Sequence, residues 1–145
     1  MDREEIQSMR RSYSERELTL PADPVTAFRG WLKEAAEAPA IVEANAMVLS
    51  TIGSDEFVQS RTVLLKDVTE SGFTFFTNYN SRKAQAIEIN PQVVLLFPWY
   101  AMERQVIVQG FAAKVSQEES DAYFQSRPWS SQIGDRKSTR LNSSH

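Results

Sequence analysis

R-T-V-L-L-K-D-V-T-E-S-G-F-T-F-F-T-N-Y-N-S-R-K, residues Arg61 to Lys83, holds two apolar, β-branched and aromatic runs joined by a polar turn. That pattern predicts an antiparallel hairpin. The first run carries a cation at each end, Arg61 and Lys66. The second leads into Asn78-Tyr79-Asn80-Ser81, a turn or cap cluster, after which Arg82 and Lys83 open a predicted helix. Cations beside a helix N-terminus form a candidate phosphate site, because backbone N–H groups and the helix dipole add to the side-chain charge. On spacing alone, a solvated strand edge is the simpler account of the same residues.

N-terminal to the hairpin, Asp23-Pro24 supplies an N-cap followed by proline at the first helical position. Val25, Phe28, Trp31, Leu32, Ala35 and Ala36 follow at spacings of three and four, which predicts an amphipathic helix ending near Pro39. Phe28 and Trp31 read as core packing. From Ala46 the period becomes that of strands: Ala46 to Ile52, a turn at Gly53-Ser54-Asp55-Glu56, Phe57 to Lys66, and Phe73 to Asn78. A short helix over Ser81 to Ile89 is stopped by Asn90-Pro91. Gln92 to Trp99 is a nearly all-apolar strand, and Glu103 to Val115 alternates, with Gly110 as a candidate bulge. Ser116 and Glu119 form a capping box for a helix to about Gln125, halted at Arg127-Pro128.

Five or more hairpin-linked strands with few helices predict an α+β, mainly antiparallel, barrel-like domain over residues 21–134. There is no β-α-β rhythm and no G-x-G-x-x-G, which argues against a dinucleotide fold. Residues 1–20 are polar and read as a flexible arm. The last stretch, D-R-K-S-T-R-L-N-S-S-H at residues 135–145, is polar and basic with one apolar residue. It reads as translated sequencing adapter, a non-native tail outside the fold.

At 145 residues, with 41% hydrophobic and 24% charged residues, the chain fits one globular domain. A formal charge of −3 argues against a nucleic-acid partner, and no apolar run has the length of a membrane span. The charged N-terminus lacks the apolar core of a signal peptide, so a cytoplasmic setting is expected. There is no cysteine, and the single histidine, His145, lies in the tail. Thiol catalysis, a Ser-His-Asp triad and a His- or Cys-based metal site therefore have no candidates in the rest of the chain. Chemistry done by this domain comes from a bound cofactor, with no catalytic protein residue and no metal.

The motifs M-R-R-S-Y, L-P-A-D-P, E-A-N-A-M, R-T-V-L-L-K, F-F-T-N-Y-N-S-R-K, L-L-F-P-W, E-R-Q-V-I-V-Q-G and Y-F-Q-S-R-P-W-S-S-Q-I-G are spread from residue 9 to residue 134. In that order they resemble the pyridoxine (pyridoxamine) 5′-phosphate oxidases. The resemblance implies a split β-barrel working as a homodimer, with FMN at the subunit interface. It implies that Arg61, Thr62, Val63, Leu64, Leu65 and Lys66 line FMN, with Arg61 towards its phosphate and Lys66 shared with the substrate. Phe76 and Thr77 would contact FMN (the family often has Tyr-Thr there), Arg82 and Lys83 would grip its phosphate, and Gln105 would hydrogen-bond the flavin. Tyr123, Arg127 and Ser131 would hold the substrate phosphate, and Arg10, Arg11, Ser12 and Tyr13 would form an arm over it.

The implied reaction oxidises pyridoxine 5′-phosphate or pyridoxamine 5′-phosphate to pyridoxal 5′-phosphate. Hydride passes from the 4′ carbon to the flavin, and O2 reoxidises the flavin to give H2O2. Without the family, Tyr123 serves equally as core, Arg127-Pro128 as a helix stop, and Gln105 and the Arg10–Arg11 pair as solvated surface. Two other readings are a flavin reductase on the same barrel and a non-catalytic flavin- or haem-holding module. The first has no use for Tyr123, Arg127 and Ser131 together; the second would hold flavin without amine-dependent peroxide release. Family members continue past S-S-Q-I-G, so the expectation is a fragment of an oxidase, itself poorly active or inactive.

Overall fold

The structure, a computed structural model, describes residues 1–9, 20–77, 81–115 and, as backbone, 138–143. Its centre is an antiparallel sheet of β1 (Ala46–Ile52), β2 (Val58–Thr69), β3 (Gly72–Phe76), β4 (Gln92–Phe97) and β5 (Val106–Lys114). A further strand, β6 (Ser138–Ser143), closes it into a barrel of order β1-β2-β3-β6-β5-β4. The helices are α1 (Arg3–Ser8), α2 (Pro24–Glu37) and α3 (Arg82–Ile89), with a 3-10 turn, η1, at Tyr100–Met102.

Alternation sets the barrel wall. In β1, Met47, Leu49 and Thr51 are buried and their neighbours half-buried; Val93, Leu95 and Phe97 do the same in β4. This period of two turns one face of each strand inward. Helix α2 starts where expected: Asp23 accepts from the Val25 and Thr26 N–H groups, and Pro24 occupies the first turn. Its Phe28 plugs the barrel, with ring centroids 4.9 Å from both Phe73 and Phe97 and 5.7 Å from Trp99. Phe28 is core, as its spacing predicts. Arg29 fastens the same helix to β2 by donating to the Val68 carbonyl.

The place of the bulge departs from the sequence reading. The β4–β5 register runs unbroken through Val93↔Gly110, so Gly110 is not a bulge. The irregularity lies on β2, where Leu65↔Phe75 is followed by Asp67↔Thr74 and Lys66 is the extra residue. A bulge depends on what the partner strand offers, which the bulged sequence does not carry. The polar arm contains α1, whose capping box pairs Asp2 and Glu5. Within the segment read as a tail, residues 138–143 form β6, paired with β3 through Phe73↔Leu141 and with β5 through Ala112↔Leu141. Strand pairing through backbone groups does not depend on the side chains, so a segment with one apolar residue can fill the gap between two open edges.

Candidate functional site

The site starts on β2. Along it Val63 and Leu65 are buried while Thr62 and Lys66 are exposed and Leu64 is half-buried. A ligand on the outer face of this strand therefore meets the side chains of Thr62, Leu64 and Lys66, and only the backbone of Val63 and Leu65. Arg61 is anchored to β1. Its Nη1 donates to Thr51 Oγ1 at 2.7 Å and to the Leu49 carbonyl at 3.2 Å, and its Nη2 donates to Gln59 Oε1 at 3.4 Å. Burial lowers the pKa of its guanidinium, which nevertheless stays charged at neutral pH.

The second cation pair follows β3. Phe76 ends that strand half-buried, and Thr77 is buried at 3% exposure with its Oγ1 3.5 Å from Ser81 Oγ. Ser81 is the N-cap of α3 and accepts from the Ala84 N–H at 3.2 Å. Arg82 and Lys83 therefore sit in the first turn of a capped helix, where the dipole favours an anion. Among the described residues, no carboxylate forms an ion pair with Arg61, Arg82 or Lys83. A cleft of about 110 Å³ is lined by Arg82, Gln85, Gln59, Asp55 and neighbours. Gln59 thus links the two groups, accepting from Arg61 while lining the cleft of Arg82.

Gln105 is exposed and opens towards a different cleft of about 220 Å³, shared with Tyr100, Glu103 and Arg104. Its neighbour Arg104 is held by α2, with Nη1 2.6 Å from Glu34 Oε2 and the guanidinium 4.5 Å from the Trp31 ring centroid. Arg10, Arg11, Ser12, Tyr13, Tyr123, Arg127 and Ser131 lie outside the described residues, as do Asn78 to Asn80 and the helix expected after Ser116.

A family model described as pyridoxamine 5′-phosphate oxidase matches residues 32–145. The chain belongs to the pyridoxamine 5′-phosphate oxidase family. It is 52% identical over 134 residues to the pyridoxine/pyridoxamine 5′-phosphate oxidase of Prochlorococcus marinus (strain MIT 9303), covering 90% of this chain and 60% of that protein. With the same-named protein of Flavobacterium johnsoniae it shares 48% over 133 residues, 90% of this chain and 62% of the relative. The chain thus spans about three fifths of the length of these curated relatives.

Among solved structures, PhzG from Burkholderia lata 383 in complex with tetrahydrophenazine-1-carboxylic acid superposes with a TM-score of 0.70 at 27% identity. That match covers 74% of this chain and 53% of PhzG. A pyridoxamine 5′-phosphate oxidase-related, FMN binding protein from Nostoc punctiforme PCC 73102 gives 0.65 at 19%, covering 79% and 63%, a likeness of fold. The barrel is the split β-barrel of this oxidase family. No helix among the described residues is long and apolar enough to cross a membrane.

Sequence reasoning passed over Gln59 and Thr51, the side chains that hold Arg61. Gln59 was within reach, since two residues along a strand return to the same face. Thr51 was not, because its place beside Arg61 follows from the register Leu49↔Arg61.

Proposed function

We propose that this chain is the FMN-binding part of an oxidase converting pyridoxine 5′-phosphate or pyridoxamine 5′-phosphate to pyridoxal 5′-phosphate, with O2 as the final acceptor. The observation that carries the reading is that Gln59 accepts from Arg61 and lines, with Arg82 of the first turn of α3, one cleft, while neither cation forms an ion pair with a described carboxylate. A phosphate dianion fits this chemistry: two guanidinium groups, the Lys83 ammonium and the backbone N–H groups of a capped helix. The buried Thr77 hydroxyl beside Ser81 adds a polar floor. FMN, when bound, supplies the hydride acceptor.

The protein's part is placement. Arg61, Arg82 and Lys83 hold the FMN phosphate; Thr62, Leu64 and Lys66 face the flavin side of β2; Phe76 and Thr77 border it. Lys66 also meets the substrate, whose phosphate is held by Tyr123, Arg127 and Ser131 beneath the arm of Arg10 to Tyr13. Two anchored phosphates fix the 4′ carbon against the flavin, and orientation of this kind lowers the barrier without a protein nucleophile. Gln105 lines a cleft that shares no residue with that of Arg82. A site assembled between two subunits accommodates this separation, with Gln105 reaching the flavin of the other subunit. The outer wall supports a homodimer: Val58, Ile107 and Phe111 are 67%, 56% and 47% exposed. The proposed setting is cytoplasmic.

The test is titration with FMN, followed by flavin fluorescence quenching, and then addition of pyridoxamine 5′-phosphate in air with peroxide measured. Saturable quenching with little peroxide is expected from this chain. Absence of quenching by the purified, folded protein would sink the flavin reading.

A further inference from the structure

Two motifs, E-A-N-A-M at residues 43–47 and L-L-F-P-W at residues 95–99, contribute no side chain to the contacts proposed above. The structure joins them. Trp99, buried at 2% exposure, donates its indole N–H to the Ala44 carbonyl at 3.0 Å. The next residue, Asn45, holds Leu65 at both backbone groups. Its carbonyl accepts the Leu65 N–H at 2.8 Å, and its Nδ2 donates to the Leu65 carbonyl at 3.0 Å. This clamp lies one step beyond Ala46↔Leu64, the end of the β1–β2 register.

Any residue at position 45 could offer its carbonyl. The second contact needs a side-chain donor of asparagine's reach. The Leu65 oxygen and the Lys66 nitrogen belong to one planar peptide unit, so a group that fixes the oxygen fixes the direction in which the chain enters Lys66. Lys66 is also the extra residue of the β2–β3 bulge, where the ladder itself constrains direction least.

We propose that Asn45, steadied by Trp99 through Ala44, is a positioning residue for Lys66. The proposal rests on the flavin-site reading above for its consequence, though not for its geometry. Asn45→Asp is its sharpest variant: the shape is kept, the donor is lost, and an oxygen faces the Leu65 carbonyl.

FMN is titrated into the wild type, Asn45→Asp, Lys66→Ala and the double variant. Each single change is expected to weaken FMN binding about five- to tenfold. The double variant should bind no worse than Lys66→Ala, because Asn45 acts only through Lys66. Effects that multiply would overturn the proposal and make Asn45 a general prop of the barrel. Amide hydrogen exchange on the FMN-free proteins provides an arm independent of flavin. Asn45→Asp should speed exchange at Lys66 and Asp67 about tenfold while Leu49 and Val63 keep their protection. Unchanged exchange at Lys66 and Asp67 overturns the proposal whatever the titration gives. A wild type that takes up no FMN, combined with faster exchange in the variant, sinks the flavin reading and leaves the positioning of Lys66 standing. Should Asn45→Asp fail to fold, Asn45→Ser, which keeps a shorter donor, serves in the same two measurements.

Discussion

In the wall made by β2, β1, β4 and β5, the inner strands β1 and β4 alternate buried and outward side chains along their whole length. Along the seam, β3 and β5 are joined by S-T-R-L-N-S, in which Leu141 is the only apolar residue. Both regions satisfy their backbone groups by antiparallel pairing. The difference lies in what else holds them. Each large apolar side chain buried in the wall contributes about 1.5–3 kcal/mol, whereas a backbone hydrogen bond contributes a net of about 0.5–1.5 kcal/mol. On the β6 side of the seam, whose sequence offers one apolar residue, pairing is generic. In the wall it is specified.

Phe28 spans the two regions, touching Phe73 on β3 and Phe97 on β4. Phe28→Ala should therefore give the largest loss, about 3–5 kcal/mol of unfolding free energy. Urea denaturation of the variant measures it; a loss under about 1 kcal/mol would mean that α2 does not plug the barrel. Removal of residues 135–145 opens the facing edges of β3 and β5. It should cost less, about 1–2 kcal/mol, since ladder bonds are lost but the ordering of β6 is no longer required. Open edges also favour self-association, which light scattering on the shortened chain would detect. A loss as large as that of Phe28→Ala would show that the seam is specified as tightly as the wall.

The cations offer a finer version of the same contrast. Arg61 belongs to the wall and binds the buried Thr51 and the Leu49 carbonyl, while Arg82 lies beyond β3 at the exposed start of α3. Arg61→Ala should lower both stability, by about 1–3 kcal/mol, and FMN affinity, because it leaves buried acceptors without a donor. Arg82→Ala should weaken FMN binding about tenfold with a change in stability within about 0.5 kcal/mol. Thermal melts beside FMN titrations separate the two. Equal loss of stability in both variants would remove the distinction.

How much of this was legible follows the same line. The bounds of β1, the Asp23 and Ser81 caps and the core role of Phe28 are local or periodic, so the sequence displays them directly. The cations of the site were legible as types and their helix start as a cap. The Lys66 bulge, the Thr51 partner of Arg61 and the Asn45 clamp arise from register between strands distant in sequence, which no local pattern encodes. Helix α1 did have a signal, Asp2 followed three residues later by Glu5, outweighed by the polar composition around it. The left-handed Glu103 that ends η1 had none, since glycine or asparagine usually marks such a turn. Nor did β6, which lacks the alternation that identifies a strand.

The smallest effect tests a cap on the helix that plugs the wall. The Thr26 hydroxyl donates to Asp23 Oδ2 at 2.6 Å, and the Thr26 and Val25 N–H groups add further bonds to the same carboxylate. These bonds favour the charged form and hold the Asp23 pKa below its ordinary value of 3.8, with Arg29 contributing least. A carboxylate whose pKa is lowered by folding stabilises the folded state fully above its unfolded pKa. It loses that stabilisation as pH falls through the lower folded value. The contribution of Asp23 is thus constant near neutrality and fades only below about pH 4. Asp23→Asn keeps an oxygen acceptor for the Thr26 and Val25 N–H groups but cannot titrate. Unfolding curves of the two proteins should run parallel from neutral pH down to about pH 5, then converge as the aspartate protonates. Curves that stay parallel through acid would show that the charge on Asp23 adds nothing to its role as a hydrogen-bond acceptor.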